Sequence, residues 1–98
     1  MEIFVKNIIP TNEYALIIQY ETGEIKYIDL KDEIFKYDCW KELRNIEYFN
    51  LVYVDEFGDG PCWPNNIEMN PIRIYNQSIN MLEIIQNAKS NKNNQFYE

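Results

Sequence analysis

Apolar and polar positions alternate through the first third of the chain, and the rhythm changes after it. Ile3, Val5 and Ile8 or Ile9 form an apolar stretch closed by Pro10, and Thr11-Asn12 opens a turn. Tyr14, Leu16, Ile18 and Tyr20 then recur at every second position, which places them on one face of a strand. Glu21-Thr22-Gly23-Glu24 reads as the turn, because Gly23 takes positive φ without a Cβ penalty. Ile25, Tyr27 and Leu30 continue on the return strand, with Lys26 expected in solvent and Ile28 implying some cover on the second face. The pattern predicts a tight hairpin over Tyr14–Leu30.

Beyond Leu30 the period lengthens. Leu30–Phe35 predicts a connecting turn or helical turn, and Trp40 and Leu43 at i, i+3 spacing predict one or two turns of helix. Phe49, Leu51 and Val52–Val54 predict another strand, ended by the polar turn Asp55-Glu56-Phe57-Gly58-Asp59-Gly60. Cys62 and Trp63 would open its partner, which the flanking Pro61 and Pro64 mark as short and at a sheet edge. Pro64-Asn65-Asn66 is a further turn. Asn70 predicts a helix cap with Pro71 at the first helical position. Short helices are expected at Pro71–Tyr75 and Ser78–Ala88, then a frayed polar tail over Lys89–Glu98. The whole predicts a single α+β domain over residues 1–88: a small antiparallel sheet built on a β-hairpin, with two or three short helices packed on it. Tyr14, Leu16, Ile18, Leu43, Val52, Val54 and Ile74 are its expected core.

Ninety-eight residues suffice for one independent core, and a 46% apolar, 15% aromatic composition argues for packing rather than disorder. Charge narrows the partners. Sixteen acidic against nine basic residues give a net charge of -7, with Lys and Arg scattered singly. Such a surface repels phosphate backbones, so no direct contact with nucleic acid is expected, and a partner protein should present a basic surface. The apolar run Ile3–Pro10 is too short, and too interrupted by Lys6 and Asn7, to cross a membrane. A cytoplasmic protein with no membrane association is expected.

Candidate chemistry is sparse. The chain has no His, which removes the default general base at neutral pH and the usual zinc ligand together. Cys39 and Cys62 lack any metal-binding spacing and read as reduced thiols, a disulfide between them being the alternative. The carboxylates of residues 55–60 lack the alternating oxygen ligands and closing Glu of a calcium loop. Asp29 and Asp55 end strands without neighbouring a nucleophile. No catalytic residue, cofactor-binding residue, metal ligand or cofactor is therefore expected. Two surfaces are candidates for partner binding. One is the Gly58–Asn66 region with Trp63 and Asn65, where a rigid aromatic at an edge would anchor an interface, or else fill the core beneath Pro71. The other, favoured here, is the C-terminal helix, whose Ile79, Leu82 and Ile85 exceed what a solvated tail needs and would also serve a homodimer.

The order of these features resembles a bacterial family of unknown function, DUF2442. Its strand pattern Y-x-L-x-[LI]-x-F/Y is matched by Tyr14, Leu16, Ile18 and Tyr20, its turn by Thr22-Gly23-Glu24, and its D-[LI] strand end by Asp29-Leu30. Trp40 and Leu43 correspond to a hydrophobic-x-x-L element, and Phe49, Val52, Val54 and Asp55 to F-x-x-V-x-V-D. The closing W-P-N-G-x-[DE]-[LIM]-x-P-x-x-[LI]-Y is matched by Trp63-Pro64-Asn65-Asn66-Ile67-Glu68-Met69-Asn70-Pro71 and Ile74-Tyr75. Asn66 departs from the usual Gly, though Asn also tolerates the left-handed conformation. The resemblance runs over residues 3–75, leaving residues 76–88 as an appended helix. It implies a small α+β protein, in some members fused to a helix-turn-helix absent here, and often encoded beside another small protein in a toxin–antitoxin-like arrangement. A non-enzymatic protein-binding module, an antitoxin-like or regulatory partner, is the first expectation. The alternative is an acidic inhibitor encoded by a mobile element and directed at a nucleic-acid enzyme such as a CRISPR effector.

Overall fold

The structure, a computed structural model, describes residues 3–86. The frayed tail expected over Lys89–Glu98 and the last two positions of the expected helix, Asn87 and Ala88, lie outside the described residues. The hairpin is present. Strand β2 (Ala15–Tyr20) pairs antiparallel with β3 (Ile25–Asp29), and β1 (Val5–Pro10) pairs with β2 on the other side. Gly23 sits at φ 96 in the connecting turn, whose ends are tied by Tyr20 N–H to the Glu24 carbonyl at 2.8 Å.

Three short helical elements then cross the sheet: α1 (Lys31–Lys36), a 3-10 helix (Asp38–Arg44) and α2 (Ile46–Phe49). Phe49, expected in a strand, instead closes α2. The Asn45 side chain accepts from the Glu47 N–H at 3.0 Å, and that cap commits the following turn to helix before the apolar run can extend. The next strand is consequently short. β4 (Tyr53–Val54) pairs with β5 (Pro61–Trp63), and β5 with β6 (Ile67–Glu68), as a second, three-stranded antiparallel sheet. Helix α3 (Pro71–Gln77) starts as expected, the Asn70 carboxamide accepting from Ile72 and Arg73 N–H groups with Pro71 in the first turn.

The appended segment differs from expectation at its start. Ser78 is extended at the end of α3, and Ile79–Asn80 forms β7 against β3, completing a first sheet in the order β1-β2-β3-β7. Helix resumes only over residues 81–86, where Asn80 caps it by accepting the Leu82 N–H at 2.9 Å. The result is an α+β fold with more short helices than the two or three expected.

The core lies between the inner face of the first sheet and the helices. Leu16, Ile18 and Tyr20 of β2 and Ile28 of β3 meet Ile34, Leu43, Phe49, Trp63 and Ile74 there. Of the expected core, Leu16, Ile18, Leu43 and Ile74 are fully buried, while Tyr14, Val52 and Val54 are only half-buried. Tyr14 adopts φ 63 in the turn before β2, so its ring leaves the strand face. It packs edge-on against Phe35 and Phe49, and its hydroxyl donates to the Arg44 carbonyl.

The outer face of the first sheet carries its own order. Cross-strand partners share a face, so Ile9, Ile17, Tyr27 and Ile79 form one row across all four strands. Asn7, Gln19 and Ile25 form a second row beside it.

Candidate functional site

Three clusters bear on function. The first joins the hairpin to α3. Lys26, expected in solvent, is buried: its ammonium donates to the Tyr75 carbonyl at 2.8 Å and lies 3.7 Å from the centre of the Tyr75 ring. Alternation still holds on β3. What the sequence could not show is that α3 covers that face at Lys26, leaving its stem buried and its charge matched to a carbonyl and a ring. The Tyr75 hydroxyl donates to both oxygens of Glu24 at 2.8 and 2.9 Å, and Thr22 adds a third hydrogen bond at 3.0 Å. These bonds, Tyr75 first and Thr22 next, hold the Glu24 carboxyl below its ordinary range. The same bond, more than burial, raises Tyr75. Neighbouring Tyr20 is pushed up to about 12, by burial first and then by Tyr75 and Glu24. The cluster therefore presents one fixed, ionised carboxylate at the hairpin tip.

The second cluster is the C-terminal surface. Leu82 and Ile85, exposed by 61% and 47%, face the Thr22–Ile25 turn across an open groove of about 500 Å³ whose apolar lining includes Ile25 and Met81. Glu24 stands in the wall of the same groove. Ile79, expected to join Leu82 and Ile85 on one helix, does not. It belongs to β7 and lies against Tyr27 on the outer sheet face. Ile25 and Glu24 escaped the sequence reading because a hairpin tip looks like ordinary turn until β7 and the following helix are set beside it.

The third is the small sheet. Trp63 is not at an edge: β5 is the middle strand, paired with Tyr53 and Val54 on one side and with Ile67 and Glu68 on the other. The Trp63 side chain is fully buried and its indole N–H donates to the Phe49 carbonyl at 2.8 Å, so it is a core residue and offers nothing to a partner. Asn65 is exposed at φ 66, followed by Asn66 at φ 62, and its amide donates to the Tyr48 hydroxyl at 3.3 Å. Both residues serve the turn that the Pro64-Asn65-Asn66 run predicts. Asp55, Asp59 and Glu68 line a groove on this sheet, yet among the described residues no group of three or more potential ligands is arranged to hold a metal ion. Asp55 instead accepts from the Asp59 N–H at 2.6 Å within its own loop, and Asp29 from the Lys31 N–H on the other sheet.

No family model, no curated protein and no solved structure matches the chain. Its function has to be read from its own groups. Cys39 and Cys62 are free thiols, one exposed and one buried. Burial first, and then Asp55, Glu68 and Asp59, push the Cys62 thiol up, away from the reactive thiolate. Among the described residues, no helix is long and apolar enough to cross a membrane.

Proposed function

We propose that the chain is a non-enzymatic protein-binding module, a regulatory or antitoxin-like partner whose target presents a basic surface. The observation that carries this reading is the groove between the hairpin tip and residues 81–86. Its side chains Ile25, Leu82 and Ile85 stay in water, and a carboxylate held in place by Tyr75 and Thr22 stands beside them. Apolar area of this kind gains roughly 25 cal/mol per Å² when covered, which gives a partner its affinity, while a pre-positioned carboxylate selects a Lys or Arg. The likeness of residues 3–75 to DUF2442 points the same way, as does a net charge of -7. The non-catalytic half of the reading rests on chemistry: the chain contains no imidazole, and its buried thiol is held away from reactivity.

The test is affinity capture from the cells that make the protein, run in parallel with Leu82→Asp and Ile85→Asp. A basic protein retained by the natural chain and lost from both variants supports the reading. Identical captures from all three, or none, overturn it. If a target is retained, its being a toxin-like product or a nucleic-acid enzyme then separates a regulator from a mobile-element inhibitor.

A further inference from the structure

The small sheet has a face of its own. Successive side chains along β5 alternate, so Cys62 points away from the side on which Trp63 is buried. Cross-strand partners share a face, which sets Tyr53, Cys62 and Glu68 in one row over the three strands. That row borders an open groove of about 560 Å³, whose wall the turn after β4 completes with Asp55, Glu56 and Phe57. Phe57 is 69% exposed, more than any other large apolar side chain among the described residues, and Tyr53 is half exposed. One exposed ring is ordinary on a protein surface; two in a single groove, with three carboxylates beside them, form a defined chemical environment.

The turn that carries Phe57 is tied down. Gly58, at φ 72, donates its N–H to the Asp55 carbonyl at 3.0 Å. The Asp55 carboxylate accepts from the Asp59 N–H, and the Gly58 carbonyl accepts from the Val5 N–H of β1, both at 2.6 Å. Phe57 is thus presented outward with little freedom left to lose on binding. The carboxylates beside it have no cation of their own. No Lys or Arg lines this groove or the adjoining one that holds Asp59. The salt bridges among the described residues lie elsewhere, joining Arg44 to Asp38 and Arg73 to Glu33. The field of the acidic groups reaches the floor: after burial, it is Asp55, Glu68 and Asp59 that push the Cys62 thiol up. They form a rim and do not converge on a point, since no three or more potential ligands among the described residues are arranged to hold a metal ion. A broad organic cation matches that rim.

We infer that this groove docks an arginine side chain of a partner protein, the guanidinium stacked on the Tyr53 and Phe57 rings and its N–H groups donating to Asp55 and Glu68. A guanidinium is planar, so it lies flat on a ring while its in-plane donors reach carboxylates at the rim. A lysine ammonium is a compact, strongly hydrated charge and cannot do both at once. The aliphatic stem of the arginine covers the apolar floor beside Ile67. The site shares no residue with the groove at the hairpin tip and stands without it. One such side chain makes a weak contact, with a dissociation constant on the order of 1–10 mM, because exposed ring and ion-pair contacts are each worth little.

Acetyl-arginine amide, titrated into the isotopically labelled full chain and followed by amide chemical shifts, tests the inference. The expected result is a saturable response concentrated over residues 53–57 and 62–68. Acetyl-lysine amide should bind at least ~3-fold more weakly, and acetyl-citrulline amide, planar but uncharged, should not saturate. Phe57→Leu keeps an apolar side chain without a ring, and Glu68→Gln keeps the shape without the charge. Each should weaken arginine binding by at least ~3-fold, while Leu82→Ala leaves it unchanged. Both positions are exposed, so the remaining amide shifts of the two variants should overlay those of the natural chain. Shifts spread evenly over the acidic surfaces overturn the inference, as does binding indifferent to both substitutions or equal for the lysine probe. So does a response of the same amides to micromolar calcium, which would mark a metal site, or tighter binding of free arginine than of the capped amide, which would mark an amino-acid site. Failure here leaves the hairpin-tip reading standing, since that reading depends on Leu82 and Ile85.

Discussion

At the scale of single residues, alternation along β2 was legible and its exceptions were not. Leu16, Ile18 and Tyr20 point inward as the two-residue period requires. Tyr14 breaks the series because it precedes the strand in a left-handed turn, a conformation no local pattern announces for an aromatic residue. Lys26 deceives for a different reason: its cover comes from Tyr75, which lies 49 positions away. The phenol beside that contact makes an alkaline prediction. Tyr20 ionises near pH 10 in the unfolded chain and at about 12 in the fold, so the folded state binds the proton more tightly. Its contribution is whole below about pH 10 and is lost as the pH climbs through about 12. Thermal melts of the natural chain should drop steeply over that window, and Tyr20→Phe should flatten the drop. Equal drops in both proteins would assign the alkaline loss to other groups.

At the scale of elements, caps and turns were easier to read than strand lengths. Asn70-Pro71 was predictive because an Asn acceptor and a ring lacking an N–H answer the unpaired donors of a first turn directly. Truncating that cap in Asn70→Ala should cost about 1 kcal/mol, seen as a lower denaturant midpoint at unchanged slope. The stretch from Phe49 to Val54 misled because its apolar residues fit either period, and the arbiter, the Asn45 cap, lies upstream of the run. Ile79 was assigned to a helix for a related reason. Its apolar neighbours suit a helical face, but a vacant edge of β3 was available to pair with it, and pairing is a tertiary event. Of the candidate site, Leu82 and Ile85 were visible as surplus apolar residues, whereas Ile25 and Glu24 became part of it only through that pairing. The proline signal at Trp63 was real but over-read. Pro61 is itself part of β5, paired with Val54, and Pro64 only follows the strand, so neither proline keeps β5 from the centre of the small sheet.

For the whole molecule, charge gives the proposed contact with a basic target its signature. Binding of a basic target draws on attraction that falls off over about 8 Å at physiological ionic strength. Association with such a target should therefore slow as salt rises, mainly through the on-rate. Stopped-flow binding run as a salt series reads that trend. An on-rate indifferent to salt would reduce the acidity to a matter of solubility.

The clasp that buries Lys26 also has a consequence in time. The hairpin closes over a handful of residues, whereas the Lys26–Tyr75 contact must wait for the intervening chain, with its helices and second sheet, to be brought back to β3. Contacts with so long a loop to close tend to form after the rate-limiting step, and a loss there is expressed in how fast the molecule opens. Replacing Lys26 with Met keeps the stem and removes the bond to the Tyr75 carbonyl and the charge over the ring. The refolding rate should then stay close to that of the natural chain while unfolding accelerates. If refolding slowed instead, α3 would already be docked on the hairpin when the chain crosses its barrier. Where unfolding accelerates, this clasp sets how long α3, β7 and the groove-forming helix stay seated once folded.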